Sequence, residues 1–316
     1  MNLCLYGTVY NNANFVRDSV KSFFSPIYDK IVIVDSFSTD GTYEILKEME
    51  KEYNLTILRY KSSRGKGRDY AIRHCPDNSV TAYVDLDVIY NKNLERAMEL
   101  NIDRLSVVGF QGTFIAYKET VVGKGGWKDL NAAEDSELVT RVGIEAFFPL
   151  VIGFNSRVVG LRESRYTSSK VSKLKRIWRV QTDHFRAGNN LDEVRLRRIP
   201  IYLPFYLSAL LKGRYMNQKG IGNRLYSIYL FITNIKDPTD YGFDKNDVFY
   251  SLGIRDLELI NRKMKVDLNS EFCSKIHDVK KALVRARHNF YRLYYYSEDF
   301  VKKFLDFNNA EIVKYE

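Results

Sequence analysis

The chain has 316 residues, of which 45% are apolar and 28% charged, a composition that excludes a disordered protein. The net charge of +10 is uneven: residues 1–160 hold 19 Lys and Arg against 21 Asp and Glu, and residues 161–316 hold 30 against 18. The two halves are therefore expected to meet different partners. Three cysteines, far apart and without a CxxC pair, argue against a disulfide or a thiolate zinc site and predict a reducing compartment.

The first half alternates short apolar runs with helical patterns. Strands are predicted at residues 3–9, 30–34, 55–60 and 80–84, and helices at 14–24, 42–53, 69–74 and 94–101. The run KIVIV at 30–34 is typical of a strand that is buried on both faces. This alternation predicts a doubly wound, mainly parallel α/β sheet, whose ligands bind at the carboxyl ends of the strands. From about Lys170 onward, long helical patterns dominate.

Polar residues follow the second predicted strand, in the segment DSFSTDGT at 35–42. A carboxylate at a strand end, such as Asp35, can accept hydrogen bonds from a nucleobase or ribose. The competing interpretation is a helix N-cap, because Thr39 or Asp40 precedes a predicted helix that carries Glu44. Both interpretations can hold, with Asp35 on the ligand and Asp40 at the cap.

A basic segment, SRGKGRD at 63–69, is predicted to lie between a strand and a helix. Glycines let a backbone approach a phosphate, and three cations could neutralise it. The spacing matches neither GxGxxG nor the P-loop pattern, which argues against a kinase or a dinucleotide-binding enzyme. A solvated basic turn is the alternative.

Two acids, Asp85 and Asp87, end the strand that begins near residue 80. They are predicted to face the same side because the side-chain period of a strand is two. A pair of carboxylates, completed by substrate phosphates, suits Mg²⁺ or Mn²⁺. The alternative is a polar strand end that caps a helix.

Another acidic pair, Glu134 and Asp135, follows a Gly-Gly-Trp turn and opens a predicted helix. The position suits a general base beside an aromatic residue. The alternative is an acid pair that is favoured simply by the helix dipole.

In this order, the four segments resemble the family 2 glycosyltransferases, which have the GT-A fold. VDSFSTDGT resembles the family's VDxxSxDGT, RGKGRDYAI its GKGxA segment, DLD its DxD metal motif, and GGWKDLNAAEDSELVTR its acceptor-side stretch ending in ED-x-E-L. The resemblance covers roughly residues 3–190. It assigns nucleotide-sugar binding to Thr8, Tyr10, Asp35, Arg64, Lys66, Arg68 and Asp85, metal binding to Asp85 and Asp87, the acceptor side to Trp127 and Glu134, and the catalytic base to Asp135.

The resemblance implies an inverting transferase that uses Mn²⁺ or Mg²⁺ and a nucleotide-sugar, with a UDP-sugar favoured, and a glycan, protein or lipid-linked acceptor. It implies a catalytic domain at 1–195 and a mostly helical extension at 196–316 that contacts the acceptor, a membrane surface or a second subunit. No QxxRW follows the ED motif, which disfavours a processive polymer synthase.

The second half offers fewer motifs. His184 is a candidate third metal ligand, although a lone histidine is more often structural. Basic residues are dense between 161 and 198, including Arg162 and Arg165, and apolar stretches follow at 199–211 and 225–232. A solvated helix face, helices packed on the sheet, or contact with a membrane surface are the alternatives. The tyrosine-rich tail at 290–296 is predicted to be a helix.

Three further expectations concern the whole chain. The N-terminus lacks a signal-peptide pattern and no apolar stretch reaches the ~20 residues of a bilayer span, so a cytoplasmic protein is expected, with peripheral contact at the inner face of the membrane. Few glutamines beside many Lys, Glu and Ile indicate a thermophile. The competing functions are a sugar nucleotidyltransferase, whose Gly-rich N-terminal loop is missing here, and a basic nucleic-acid-binding protein.

Overall fold

The computed structural model describes residues 2–100, 105–109, 112–155, 169–275, 279–286, 289–299, 301–302 and 310–313, so Arg162 and Arg165 lie outside it. The strands are β1 (Asn2–Val9), β2 (Lys30–Asp35), β3 (Leu55–Arg59), β4 (Ser79–Asp85), β5 (Val88–Tyr90), β6 (Leu105–Val108), β7 (Thr113–Tyr117), β8 (Ala146–Phe148), β9 (Gly153–Asn155), β10 (Phe249–Gly253), β11 (Lys280–Ala286), β12 (Asn289–Tyr295) and β13 (Ala310–Val313). The helices are α1 (Ala13–Phe23), α2 (Thr42–Met49), α3 (Arg64–Arg73), α4 (Lys92–Glu99), α5 (Lys118–Gly123), α6 (Glu134–Val142), α7 (Lys170–Arg186), α8 (Ile199–Lys212), α9 (Asn223–Thr233), α10 (Ile254–Met264) and α11 (Leu268–Lys275).

The main sheet has seven strands in the order β3-β2-β1-β4-β7-β6-β8. The strands β3, β2, β1 and β4 run parallel, and β7 pairs antiparallel with both β4 and β6. Both faces are covered, because Ile31 and Ile33 of β2 pack with α1, α2 and α4, whereas Val32 and Val34 pack with α3, α5, α6 and α9. The predicted mainly parallel α/β sheet is confirmed.

The predicted elements of the first half are present, with shifted ends. The largest shift is in α3, which begins at Arg64 rather than at residue 69, so that the basic segment forms the first turns of a helix and not a loop. Ser63 caps this helix by accepting a hydrogen bond from the Lys66 N–H at 3.2 Å. The glycines at 65 and 67 hid the helix start, because glycine is a poor helix former.

Cys4 and Cys75 form a disulfide, so the expectation that no disulfide exists was wrong. Their Cα atoms lie 5.9 Å apart although 71 residues separate them in sequence. The bond joins β1 to the residues just beyond α3, which packs across β1. Spacing along the chain could not reveal this contact, and the argument for a reducing compartment therefore loses its basis.

Residues beyond 169 form a helical region, as predicted, and also a second sheet. The helices α7, α8 and α9 come first, and α9 packs against α6 and β8 of the main sheet. The antiparallel sheet β10-β12-β11-β13 follows. The domain boundary at 195 stays a prediction.

The prediction of a helix in the tyrosine-rich tail was wrong, because these residues form β12 at the centre of the small sheet. Leu293 and Tyr294 are both buried, on opposite faces of that sheet. A strand covered on both faces shows no alternation of polar and apolar residues, which removes the sequence signal for a strand.

In the parts of the chain that the structure describes, no helix combines the length and the apolar character needed to cross a bilayer.

Candidate active site

The carboxyl ends of β1, β2 and β4 bring three predicted site residues together. In the parallel registers, Thr8 of β1 lies opposite Asp85 of β4, and its neighbour Val9 lies opposite Asp35 of β2. We call Thr8, Asp35 and Asp85 the strand-end site. The Thr8 hydroxyl donates to the Val34 carbonyl at 3.1 Å.

Asp35 is fully buried and already has a cationic partner. Its carboxylate accepts a hydrogen bond from the Ser38 N–H at 3.1 Å and lies 3.3 Å from Arg59 Nε. The Arg59 guanidinium in turn stacks on the rings of Phe37, at 4.9 Å, and Tyr43, at 4.4 Å. Arg59 was not predicted from the sequence, although it lies opposite Asp35 in the β2–β3 register.

Two exposed aromatic side chains follow the ends of β1 and β2. Tyr10 follows β1 and is 49% exposed, and Phe37 is 48% exposed with a left-handed backbone (φ +59°). A bulky residue adopts this conformation rarely, and such strain is concentrated at functional sites. Phe37 was not identified from the sequence.

Asp40 has the capping role that was expected of it. Its carboxylate accepts hydrogen bonds from the Thr42 N–H at 3.1 Å and from the Ala13 N–H at 3.0 Å, so that it serves the first turns of α2 and α1. Burial raises its pKa, but these hydrogen bonds and that of the Thr42 hydroxyl outweigh burial and lower the pKa from its ordinary value.

The two glycines of the basic segment allow α3 to pack tightly against the protein. A Cβ at Gly65 would lie 2.0 Å from the Lys128 carbonyl oxygen, and one at Gly67 would lie 2.5 Å from the Thr8 hydroxyl oxygen. The glycines therefore bring α3 close to other atoms of the protein, whereas the sequence predicted that they bring the backbone close to a phosphate. Lys66 is exposed, with its ammonium 5.7 Å from the centre of the Tyr60 ring.

Arg68 is buried and forms the centre of an ion network. Its guanidinium lies 2.5 Å from Asp85 and 3.1 Å from Glu134, and Arg64 also contacts Glu134 at 3.1 Å. The rings of Tyr83 and Trp127 cover the guanidinium at 4.0 and 4.9 Å. The network therefore joins the end of β4 to the start of α6.

The network shifts the pKa values of its two acids in opposite directions. Burial raises the pKa of Asp85, but the Arg68 and Arg64 charges outweigh burial and lower it. Burial dominates at Glu134, so its pKa is raised in spite of the same two arginines. One Glu134 oxygen and Arg68 Nε are buried without a hydrogen-bond partner. Each of these two atoms could therefore form one more hydrogen bond.

The three predicted metal ligands do not form a ready cluster. β4 ends at Asp85 and Asp87 lies in the turn after it, so the period-two argument does not extend to Asp87. His184 lies on α7, where its ring nitrogen is 3.5 Å from the Asn189 amide. Across the described ranges, no group of three or more His, Cys, Asp or Glu side chains is placed to hold a metal ion. Two hard oxygen donors, at Asp85 and Asp87, nevertheless fit Mg²⁺ or Mn²⁺ whose other ligands come from phosphates.

Asp135 stands exposed at the first turn of α6, where its carboxylate accepts a hydrogen bond from the Ser136 N–H at 2.7 Å. It lies at a cavity of about 440 Å³, which we call the α6 cavity. Trp127 also lines this cavity, and its indole N–H donates to the Tyr6 hydroxyl at 2.9 Å. Glu134, predicted on the same side, points instead into the Arg68 network.

The C-terminal region supplies one wall of the α6 cavity, which the sequence analysis did not foresee. That wall consists of Ile228, Phe231, Phe249, Leu252, Gly253 and Asp256. Asp256 is buried and paired with Arg224. The cavity is thus mainly apolar, with Asp135 and Asp256 as its acids.

The chain is similar to known glycosyltransferases. Residues 8–139 match the model of the glycosyl transferase family 2. The glycosyltransferase TuaG of Bacillus subtilis, named for teichuronic acid biosynthesis, is 29% identical over 109 residues. That match covers 33% of this chain and 43% of the relative, so it spans less than half of the relative's length.

Among solved structures, a mannosyltransferase from Pyrobaculum calidifontis in complex with GDP-Man and Mn²⁺ is similar with a TM-score of 0.46 and 17% identity, covering 67% of this chain and 74% of the other. S. aureus TarS 1–349 in complex with UDP-GlcNAc has a TM-score of 0.44 and 13% identity, covering 89% and 94%.

Proposed function

We propose that this chain, whose residues 8–139 match the model of the glycosyl transferase family 2, transfers a sugar from a nucleotide-sugar to an acceptor hydroxyl with inversion of configuration. One observation carries the proposal: Arg68 and Glu134 join Asp85 of the strand-end site to the helix turn that presents Asp135 at the α6 cavity. A donor at the strand ends and an acceptor in the cavity would thereby be held in one fixed relation, as a displacement requires.

The donor nucleotide occupies the strand-end site. Asp35, Thr8 and the exposed rings of Tyr10 and Phe37 offer hydrogen bonds and aromatic surface to a base, with uridine the favoured one. Arg64, Lys66 and Arg68 supply positive charge for the diphosphate. Arg64 and Lys66 are exposed and can reach a ligand, whereas buried Arg68 would act mainly by holding Asp85 in position.

Asp85 and Asp87 would hold Mn²⁺ or Mg²⁺, with His184 as a candidate third ligand. A bound divalent ion would offset the negative charge that develops on the departing nucleoside diphosphate. The lowered pKa of Asp85 suits this role, because it shows that burial has not neutralised the carboxylate beside Arg68 and Arg64.

Asp135 acts as the general base. The acceptor oxygen bonds to the anomeric carbon while the bond from that carbon to the diphosphate oxygen breaks, and the acceptor proton passes to the Asp135 carboxylate. Attack from the face opposite the leaving group inverts the configuration, so an α-linked donor gives a β-linked product.

The acceptor is a glycan, a protein or a lipid-linked molecule with a hydroxyl near Asp135. The α6 cavity favours an acceptor that places an apolar group beside that hydroxyl, because most of its walls are apolar. The family match favours glycosyl transfer over nucleotidyl transfer, and no feature of the site favours nucleic acid.

A thermal-shift panel tests the donor site. Wild type, Asp87→Ala and a control, Asp18→Ala on an exposed part of α1, are heated with UDP-, GDP- and dTDP-sugars, with and without Mn²⁺. We expect one nucleotide to raise the midpoint in a Mn²⁺-dependent way in wild type and Asp18→Ala but not in Asp87→Ala. No shift with any nucleotide, together with a salt-sensitive shift on nucleic acid, would overturn the proposal.

A further inference from the structure

The two halves of α7 differ in their exposure to solvent. Residues 170–179 are all exposed, whereas the following turns contain buried Thr182, Asp183 and Phe185. Large apolar side chains are among the exposed ones, including Leu174 at 65%, Ile177 and Trp178. Several large apolar side chains exposed together on one helix indicate a surface that meets a partner.

The next helix, α8, is apolar and also largely exposed. Lys212 is its one charged residue by sequence, and Ala209 is the one residue of this fully described helix that is buried. Leu203, Leu207, Leu210 and Leu211 recur at helical spacing and all are exposed, Leu211 at 90%.

The two helices form one continuous surface. They pack against each other, with the Trp178 and Phe205 rings 5.0 Å apart and Phe185 against Tyr206 at 5.5 Å. We call this the hairpin surface, defined by Leu174, Ile177, Trp178, Leu203, Leu207 and Leu211.

Positive charge accompanies the apolar residues, and the two stretches of sequence that carry them contain no acid. Lys170, Lys173, Lys175, Arg176 and Arg179 lie on the exposed half of α7. Residues 170–182 contain no Asp or Glu, and neither do residues 194–236, where Arg195, Arg197 and Arg198 precede α8. Such a combination is typical of segments that lie in the interface of an anionic membrane.

We infer that the hairpin surface docks this protein onto an anionic lipid bilayer, with the apolar side chains in the headgroup region and the cations at the lipid phosphates. A second copy of this chain is a poorer occupant. A twofold contact through the same surface would bring the cations of both copies together, and the stretches 170–182 and 194–236 supply no acid to offset them.

Docking here would place the proposed acceptor site at the membrane. Asp183 of α7 accepts a hydrogen bond from the Asn131 N–H at 2.9 Å, and Arg186 donates to the Asp129 carbonyl at 3.1 Å. These residues shortly precede Asp135, so the helix that meets the lipid is anchored beside the proposed base. This consequence rests on the proposed function, whereas the docking itself does not.

Co-sedimentation of the full chain with vesicles tests the inference. Phosphatidylcholine vesicles are compared with vesicles containing about one third phosphatidylglycerol, at low and high salt. We expect binding to the anionic vesicles alone, weakened by salt. Lys173→Gln with Lys175→Gln is expected to bind roughly 25-fold more weakly, about fivefold for each cation removed. The control, Lys21→Gln with Lys51→Gln at exposed sites on α1 and after α2, is expected to bind like wild type.

Leu207→Ser with Leu211→Ser separates insertion from simple charge attraction, and should weaken binding to anionic vesicles at least tenfold even at low salt. Equal binding of all variants, or no binding of folded wild type to anionic vesicles, would overturn the inference. So would a dimer, measured by light scattering, that the leucine substitutions dissociate. Donor binding without vesicles should be unchanged in these variants, so failure of the docking inference is distinguishable from failure of the proposed transferase function.

Discussion

The strand-end site and the α6 cavity differ in how they handle charge. At the strand-end site, Asp35 is paired with Arg59, and Asp85 with buried Arg68. At the cavity, the walls are mainly apolar and Asp135 stands exposed at a helix start. At the strand-end site, ion pairs fix the positions of the acids. The α6 cavity instead offers an apolar space with one exposed carboxylate.

This difference assigns separate tasks to the two regions. A diphosphate needs fixed cations and oxygen ligands, which a network of paired side chains can hold in place without reorganisation. An acceptor needs a surface of matching shape and one group that can accept a proton. Substitutions in the two regions should therefore act on different measurable quantities.

The largest effect is expected at Asp135. Asp135→Asn preserves the shape of the side chain but removes its basicity, so we expect kcat to fall by about 10²–10⁴-fold. Donor binding and the melting temperature should stay near wild type, because the side chain is exposed and outside the Arg68 network. A loss of donor affinity of the same size would show instead that the two regions are not functionally separate.

Removal of the central arginine of the network should chiefly affect stability. Arg68→Met leaves Asp85 and Glu134 without their shared buried cation, at an expected cost of about 3–5 kcal/mol in the free energy of unfolding. Arg17→Met breaks an exposed pair with Glu48 and should cost under ~1 kcal/mol. Urea denaturation measures both losses of stability. Similar losses in the two variants would contradict the idea that the Arg68 network stabilises the fold more than an exposed ion pair does.

The strand-end site was predictable because its parts are local in sequence. Each of Thr8, Asp35 and Asp85 follows or ends an apolar run, and parallel strands bring such ends to one edge of the sheet. Even the partner Arg59, which was missed, could have been found by placing β3 in register beside β2.

The cavity was only partly predictable, because one wall comes from residues more than 90 positions beyond Asp135. Phe231 and Leu252 carry no signal beyond their hydrophobicity, and any core would use such residues. The disulfide was hidden for a similar reason, since Cys4 and Cys75 meet only through the packing of α3 on β1.

Glu193, at the base of the hairpin, makes stability depend on pH. Burial raises its pKa to about 7, above an unfolded value near 4.5. The folded state therefore binds more protons than the unfolded state between these values, and stability falls as pH rises from about 4.5 to 7. Glu193→Gln should not show this loss. The free energy of unfolding of the variant, relative to that of wild type, should therefore rise by up to about 3 kcal/mol across that range. Thermal unfolding of both proteins at several pH values measures this difference. If the stability of wild type and of Glu193→Gln changes in parallel with pH, Glu193 is not the source of the pH dependence.

The smallest effect tests the close packing of α3 against the residues that precede α6. A Cβ at Gly65 would lie 2.0 Å from the Lys128 carbonyl oxygen, and backbone atoms on both sides resist displacement. Gly65→Ala should therefore cost about 1–3 kcal/mol and weaken donor binding, because α3 carries Arg64 and Arg68. The matched control is Gly123→Ala at the end of α5, where a Cβ meets nothing within 4 Å. That change should be neutral or stabilising by up to ~1 kcal/mol, because alanine restricts the unfolded chain. Equal losses of stability in Gly65→Ala and Gly123→Ala would show that the position of α3 does not depend on the lack of a side chain at Gly65.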